Sequence, residues 1–279
     1  MIAHPIPYQG SKRRLAGQIL RYAPTPIQTL YEPFAGSAAI TLAAAASGRA
    51  QRYVLGDRLQ PLIELWNEVL ERPHELATAY TDLWHAQHHD PRAFFEQVRS
   101  DYNQSAGSAR LLYLLARCVK NAVRFNAAGA FNQSADHRRL GTKPERMKRH
   151  ILLAHQHLRG RTRAVATDFS ETLASVKPGD LVYLDPPYQG TSQGKDRRYV
   201  ASLARERLIG ELERLRSRGV ATIVSYDGST GTRRYGTPLP AELGLRRIEL
   251  KAGWSSQATL NGRRAQTVES LYLSPEVAP

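Results

Sequence analysis

The sequence predicts an α/β protein on an open sheet that is interrupted by helices, and three observations carry the prediction. Short apolar runs at 29–31, 52–55, 181–184 and 221–226 favour extended backbone, and each gives way to polar or acidic residues. A turn at 33–37 containing Gly36 leads straight into Ala38 to Ala46, a good helix former, so strand, turn and helix follow one another. From about 61 to 157 the apolar spacing becomes helical. Leu76, Ala79, Tyr80, Leu83 and Trp84 share one face, and Leu111, Leu112, Leu114, Leu115 and Val119 another. At 279 residues the chain is near the upper limit for a single core, so a main domain with a smaller inserted or appended one is expected.

In chain order, residues 7–14 (PYQGSKRR) form a loop that opens a helix, since Leu15, Ile19 and Leu20 follow at helical spacing. Such a loop can set backbone N–H groups, the Tyr8 ring and Lys12 around a ligand, although Gly-Ser-Lys is also an ordinary surface turn. The stretch 29–39 (TLYEPFAGSAA) gives a nucleotide-site geometry, because Gly36 lets the backbone approach a ligand closely; a plain βα turn is the alternative. It lacks the Gly-Lys-Ser/Thr ending of a P-loop. The strand that follows ends at Asp57, about 20 residues past the glycine turn, where an acid commonly binds a ribose diol. His85, His88 and His89 lie within one helical turn without matching ligands, so a solvated surface is expected and no metal is assigned.

Within the helical region, residues 120–133 (KNAVRFNAAGAFNQ) and 136–139 (DHRR) combine Asn and Arg, which can read base edges, with Phe and further cations. A solvated charged face is the alternative. The chain returns to the sheet at 163–169, where Asp168 and Phe169 are expected to end a strand; Asp168 could equally cap a helix. The strand 181–184 then runs into Asp185, Pro186, Pro187 and Tyr188, and the prolines stop it. In an open α/β sheet, ligands bind at the carboxyl ends of strands. There Asp185 and the Pro186 carbonyl can accept the two N–H bonds of an exocyclic amine while Tyr188 stacks on its ring; a proline turn without chemistry is the alternative. A basic, glycine-containing loop at 189–198, an amphipathic helix at 203–218 and a strand ending at Ser225, Tyr226 and Asp227 follow. Residues 248–273 read as strands around a basic turn.

Composition narrows the partner. Lys plus Arg is 39 against 25 acids, a net charge of +14 with a pI near 10.1, which predicts a polyanion. Nucleic acid is favoured over membrane, because no apolar run of about 18 residues exists to act as an anchor. Cys118 is the only cysteine, so no internal disulfide can form, and a reducing, cytoplasmic setting is expected. The first residues lack the pattern of a signal peptide.

These motifs resemble those of amino-methylating DNA methyltransferases, specifically the Dam-like, D12 class (alpha group) N6-adenine family. D-P-P-Y at 185–188 is similar to its catalytic motif, and E-P-F-A-G-S at 32–37 to its cofactor motif. Tyr8 and Lys12 match the aromatic and lysine of its N-terminal motif, where the family often has tryptophan. At 57–67 the aspartate matches a second cofactor motif, although the family commonly has asparagine where Leu59 stands. Arg124, Asn126, Gly129, Phe131 and Asn132 match its R-x-N-x-x-G-x-F-N recognition stretch.

The resemblance covers nearly the whole chain. It implies a Rossmann-like S-adenosylmethionine-dependent methyltransferase sheet (1–58 and 162–279) with an inserted helical DNA-recognition domain (59–161). The implied cofactor is S-adenosyl-L-methionine, held by Tyr8, Lys12, Pro33, Phe34, Ala35, Gly36, Ser37, Asp57, Asp168, Phe169 and Asp185. The implied partner is double-stranded DNA, contacted by Arg124, Asn126, Phe131, Asn132, Arg138 and Arg139, with no membrane and no metal and the chain acting as a monomer. The expected reaction is methyl transfer to N6 of a flipped-out adenine at Asp185, Pro186, Pro187 and Tyr188. N4-methylation of cytosine, or DNA binding without catalysis, are the alternatives.

Overall fold

The computed structural model describes residues 1–187, 205–254 and 266–277, apart from the side chains of Arg233 and Trp254. Its centre is one sheet. Strands β1 (Ile27–Glu32), β2 (Ala50–Gly56), β3 (Thr162–Val165), β4 (Leu181–Leu184) and β5 (Ala221–Thr230) are parallel. A short β6 (Arg233–Tyr235) folds back on β5, while β7 (Arg246–Trp254) and β8 (Gln266–Leu273) close the far side antiparallel. The order is β3-β2-β1-β4-β5-β8-β7. The chain therefore builds outward from β1 in one direction, then restarts at β4 on its other side. That reversal makes β1 and β4 the switch point, and the crevice beyond their carboxyl ends is the place for a ligand.

Alternation along each strand fills both faces, as a doubly covered sheet requires. Leu30, Tyr53, Leu55, Leu181, Tyr183, Ile223 and Leu271 enter one apolar cluster. Their neighbours Tyr31, Val54, Val182, Leu184, Val224 and Tyr272 enter the other. The first face is covered by α1 (Ala16–Ile19), α2 (Ala39–Ala46) and the helices that run between β2 and β3. The second is covered by α8 (Phe169–Thr172) and α9 (Arg205–Ser217), whose Leu208, Leu212 and Leu215 point inward.

The helices between β2 and β3 are α3 (Gln60–Glu71), α4 (Pro73–Ala86), α5 (Pro91–Gln104), α6 (Ser108–Arg117) and α7 (Pro144–Leu158). Proline at the first positions of α3, α4, α5 and α7 suits their starts, since the missing N–H has no intrahelical partner there. Asp90 caps α5 by accepting the N–H groups of Arg92 and Ala93. Leu62, Leu65 and Trp66 of α3 and Leu111 to Leu115 of α6 are buried in the same cluster as β1 and β2, so these helices share a continuous core with the sheet. No helix among the described residues is long and apolar enough to cross a membrane.

Between α6 and α7 the chain makes a hairpin-like excursion, joined by isolated bridges from Cys118 to Ala135 and from Phe125 to Phe131. Arg117 is its anchor. Buried almost completely, its guanidinium donates to the carbonyls of Asp136 and Pro91, each at 3.1 Å, and of Arg139. The tip at 126–129 is exposed.

One strand differs from expectation. The sequence suggested that Asp168 and Phe169 end a strand, whereas β3 stops at Val165 and Asp168 caps α8. The carboxylate accepts the Ser170 N–H at 3.1 Å and the Ser170 hydroxyl at 2.7 Å, and these local bonds outcompete an extended continuation.

Candidate active site

At the switch point the turn after β1 is fixed on both sides of one residue, Gly36. Asp57, just past β2, accepts the Gly36 N–H at 3.1 Å with one oxygen and the Leu59 N–H at 3.0 Å with the other. Trp66 of α3 donates its indole N–H to the Gly36 carbonyl at 3.0 Å. Burial raises the Asp57 carboxyl above its ordinary range, against the backbone bonds that lower it. Gly36 has φ +48°, and a β-carbon there would lie 3.1 Å from Tyr8 Cε1, so the ring rests directly on the glycine. Ser37 donates its hydroxyl to Ser11 at 2.7 Å, which joins this turn to the N-terminal loop. The sequence placed Tyr8, Lys12, Gly36, Ser37 and Asp57 in separate motifs; the fold brings them together.

Pro33 and Ala35 are buried within the turn, and Ala35 donates its N–H to the Gly56 carbonyl at 2.8 Å. Phe34 is half-buried and stacks on Phe169 with centroids 5.3 Å apart. Phe169 is itself 1% exposed, with the Arg207 guanidinium 5.2 Å from its centroid. It therefore supports Phe34 and presents no open face. Asp168 also receives Arg207 at 2.8 Å and lies 3.9 Å from Arg58; against the opposing desolvation, the bonds from Ser170 and then Arg207 lower its pKa.

Across the crevice Asp185 follows β4 directly, with Pro186 buried and Pro187 half-buried. Lys12, only 9% exposed, donates to Asp185 Oδ1 at 2.9 Å and has Glu269 Oε2 of β8 at 3.8 Å. Beneath them the buried hydroxyls of Tyr183 and Ser225 share a hydrogen bond at 2.9 Å. Ionisation of Tyr183 is strongly opposed by burial, then by the charges of Asp185, Glu32 and Glu269. Glu32, at the end of β1, accepts the Thr41 N–H at 2.9 Å and is pushed up to about 7, chiefly by burial. Asp227 is taken up elsewhere, by Arg247, Ser270 and Tyr272. Tyr188, the loop at 189–198 and the turn at 255–264 lie outside the described residues.

The excursion from α6 meets this crevice, since the Gln9 N–H donates to the Asn121 carbonyl at 3.0 Å. Asn126 lies at the exposed tip, its side-chain oxygen accepting the N–H groups of Ala128 and Ala130 in an Asx-type turn. Arg124 is half-buried and Asn132 exposed. Phe131 corrects the expectation of a ring offered to bases: it is 1% exposed and packs against Phe125 and Tyr102, while Asn103 of α5 bonds its backbone on both sides. Arg138 and Arg139 are exposed and both engage Asp136, which holds that carboxyl at about 2, mainly through the Arg138 bond. Among the described residues no cluster of three or more His, Cys, Asp and Glu is arranged for a metal.

Sequence reasoning quoted Trp66 and Glu32 inside motifs without giving them a role, and gave Glu269 none. The fully buried indole and the carboxylate next to Pro33 could have been flagged; Glu269 carries no local signal.

Comparison with known proteins places this arrangement in a family. The chain is 26% identical over 193 residues to the retron Ec67 DNA adenine methylase of Escherichia coli, covering 67% of this chain and 64% of that protein. It is 25% identical over 239 residues to the DNA N-6-adenine-methyltransferase of Escherichia phage P1, covering 81% of this chain and 30% of the phage protein. With a DNA adenine methylase of Vibrio cholerae the identity is 24% over 237 residues, 81% of this chain and 82% of the relative. The chain thus spans less than two thirds of the first two relatives' lengths. The family model for D12 class N6 adenine-specific DNA methyltransferases matches residues 8–229, which include Tyr8, Lys12, the Gly36 turn and Asp185, and the chain belongs to that family.

Proposed function

We propose that this protein transfers a methyl group from S-adenosyl-L-methionine to N6 of adenine in double-stranded DNA. The observation that carries the reading is the meeting of the Gly36 turn and Asp185 across the switch point, with Lys12 bonded to the acid.

The donor set fits the cofactor. A β-carbon at Gly36 would crowd Tyr8, so the bare glycine lets the ring pack on the turn and close one side of a cradle for the cofactor. Each Asp57 oxygen already accepts one backbone N–H and keeps a further lone pair for a ribose hydroxyl. Pro33, Phe34, Ala35 and Ser37 shape the cradle, with Asp168 and Phe169 backing Phe34. S-adenosyl-L-methionine supplies an electrophilic methyl group when bound there.

Adenine N6 is a poor nucleophile because its lone pair is delocalised into the ring. Asp185 accepts one N6–H and the Pro186 carbonyl the other, which localises that lone pair. Tyr188 stacks on the base, which must leave the duplex to reach them; unstacking costs a few kcal/mol. Exposed cations such as Arg138 and Arg139, with the net charge of +14, offset this on phosphates. The helical segment 59–161 acts as the recognition domain, with Arg124, Asn126 and Asn132 on its excursion facing DNA and Phe131 holding their hairpin in shape. A cytoplasmic protein acting as a monomer completes the reading.

The test is incubation with labelled S-adenosyl-L-methionine and mixed-sequence duplex DNA, followed by mass analysis of nucleosides. N6-methyladenine is expected; N4-methylcytosine, or DNA binding with no methylated base, refutes the reading.

A further inference from the structure

We propose that Glu269 is a positioning residue for methyl transfer, receiving the Lys12 ammonium when Asp185 turns to the target amine. The inference rests on the function proposed above.

Lys12 is a nearly buried cation facing two acids. Its Nζ is 2.9 Å from Asp185 Oδ1 and 3.8 Å from Glu269 Oε2, and those acid side chains are 21% and 16% exposed. The shorter contact occupies Asp185 with a strong, charge-assisted bond. A carboxylate accepts at both oxygens, so an incoming amine N–H shares Asp185 with that ammonium and weakens its hold on it. A desolvated ammonium whose bond to Asp185 weakens is costly unless another charge compensates it. Glu269 removes the obstacle. A shift of about 1 Å brings Lys12 to hydrogen-bond distance of Glu269, so the cation exchanges partners without ever losing one.

The sheet builds this carboxylate into place. Glu269 pairs with Gly228 of β5 and with Leu250 of β7, so it is held between two strands. A β-carbon at Gly228 would meet the Val268 carbonyl oxygen at 2.5 Å and Glu269 Cα at 3.5 Å. Only a bare backbone lets β5 approach so closely, immediately after the irregularity between Ser225 and Gly228. After burial, the charges of Asp185, Glu32 and Glu269 all oppose ionisation of the Tyr183 hydroxyl.

The experiment measures single-turnover methyl transfer to mixed-sequence duplex DNA at saturating S-adenosyl-L-methionine, for wild type, Glu269→Gln and Glu269→Asp. Cofactor affinity and thermal melting are followed in parallel. Glu269→Gln is expected to slow transfer by roughly tenfold or more, with cofactor affinity within about twofold of wild type and an unchanged melt. Glu269→Asp, which keeps the charge, should retain more of the rate than the glutamine variant. A glutamine variant at the wild-type rate overturns the proposal. So does one that loses rate only in step with cofactor affinity or melting temperature, because that marks a structural role. Wild-type protein that methylates no base refutes the underlying functional reading instead.

Discussion

Replacing Glu32 by glutamine should change how stability depends on pH more than it changes the fold. Glu32 is 3% exposed at the end of β1, and its Oε2 accepts the Thr41 N–H at the start of α2. Burial raises its pKa from 4.5 to about 7, even though bonds from Thr41 and Ile40 pull the other way. A rise of that size corresponds to about 3 kcal/mol of linkage between ionisation and folding. The sign follows from which state holds the proton. Below about pH 4.5 the carboxyl is protonated folded or unfolded, and nothing is lost. As pH rises toward 7 the unfolded chain ionises first, so stability falls, and above 7 the full penalty applies. Glutamine keeps an oxygen for the Thr41 N–H and cannot ionise. Urea denaturation at pH 5 and pH 8 should therefore show wild type losing about 2 kcal/mol or more relative to Glu32→Gln between the two values. Parallel pH dependences would refute the reasoning, because they would mean that Glu32 keeps an ordinary pKa in the fold.

Two further perturbations probe the crevice and the excursion. Gly36→Ala forces a side chain into a left-handed backbone and against Tyr8 Cε1 at 3.1 Å, so it should cost about 1–2 kcal/mol in stability and weaken cofactor binding in titration; unchanged affinity would contradict the cradle. Arg117→Met removes the donor shared by the Asp136, Arg139 and Pro91 carbonyls. It should weaken DNA binding roughly tenfold in a shift assay, by loosening the hairpin, while cofactor affinity stays close to wild type.

What the sequence revealed was chiefly what is local. Asp57 and Asp185 were legible as strand ends because the apolar period of the strand stops at each, and Gly36 because small residues mark a tight turn. Asp168 stayed open between strand end and helix cap because a capping aspartate looks the same in sequence as an acid that ends a strand, and the structure decides for the cap, with β3 only four residues long. Phe131 looked like a recognition ring because its burial depends on Tyr102 of α5, which lies 29 positions earlier and carries no mark of the pairing. The bonds from Trp66 to Gly36 and from Lys12 to Asp185 and Glu269 join residues far apart in the chain, so no periodicity could announce them. Both arise from strand order, which sets β2 and β4 on either side of β1 and carries β8 next to β5.

The central claim is that Asp185 accepts from the amine that is methylated. Its most direct test compares wild type with Asp185→Ala in methyl transfer to mixed-sequence duplex DNA, with nucleoside mass analysis of the product and cofactor affinity measured on both proteins. N6-methyladenine is expected with wild type and none with the variant, while the variant still folds and binds DNA. An Asp185→Ala protein that methylates adenine at a rate near wild type would contradict it.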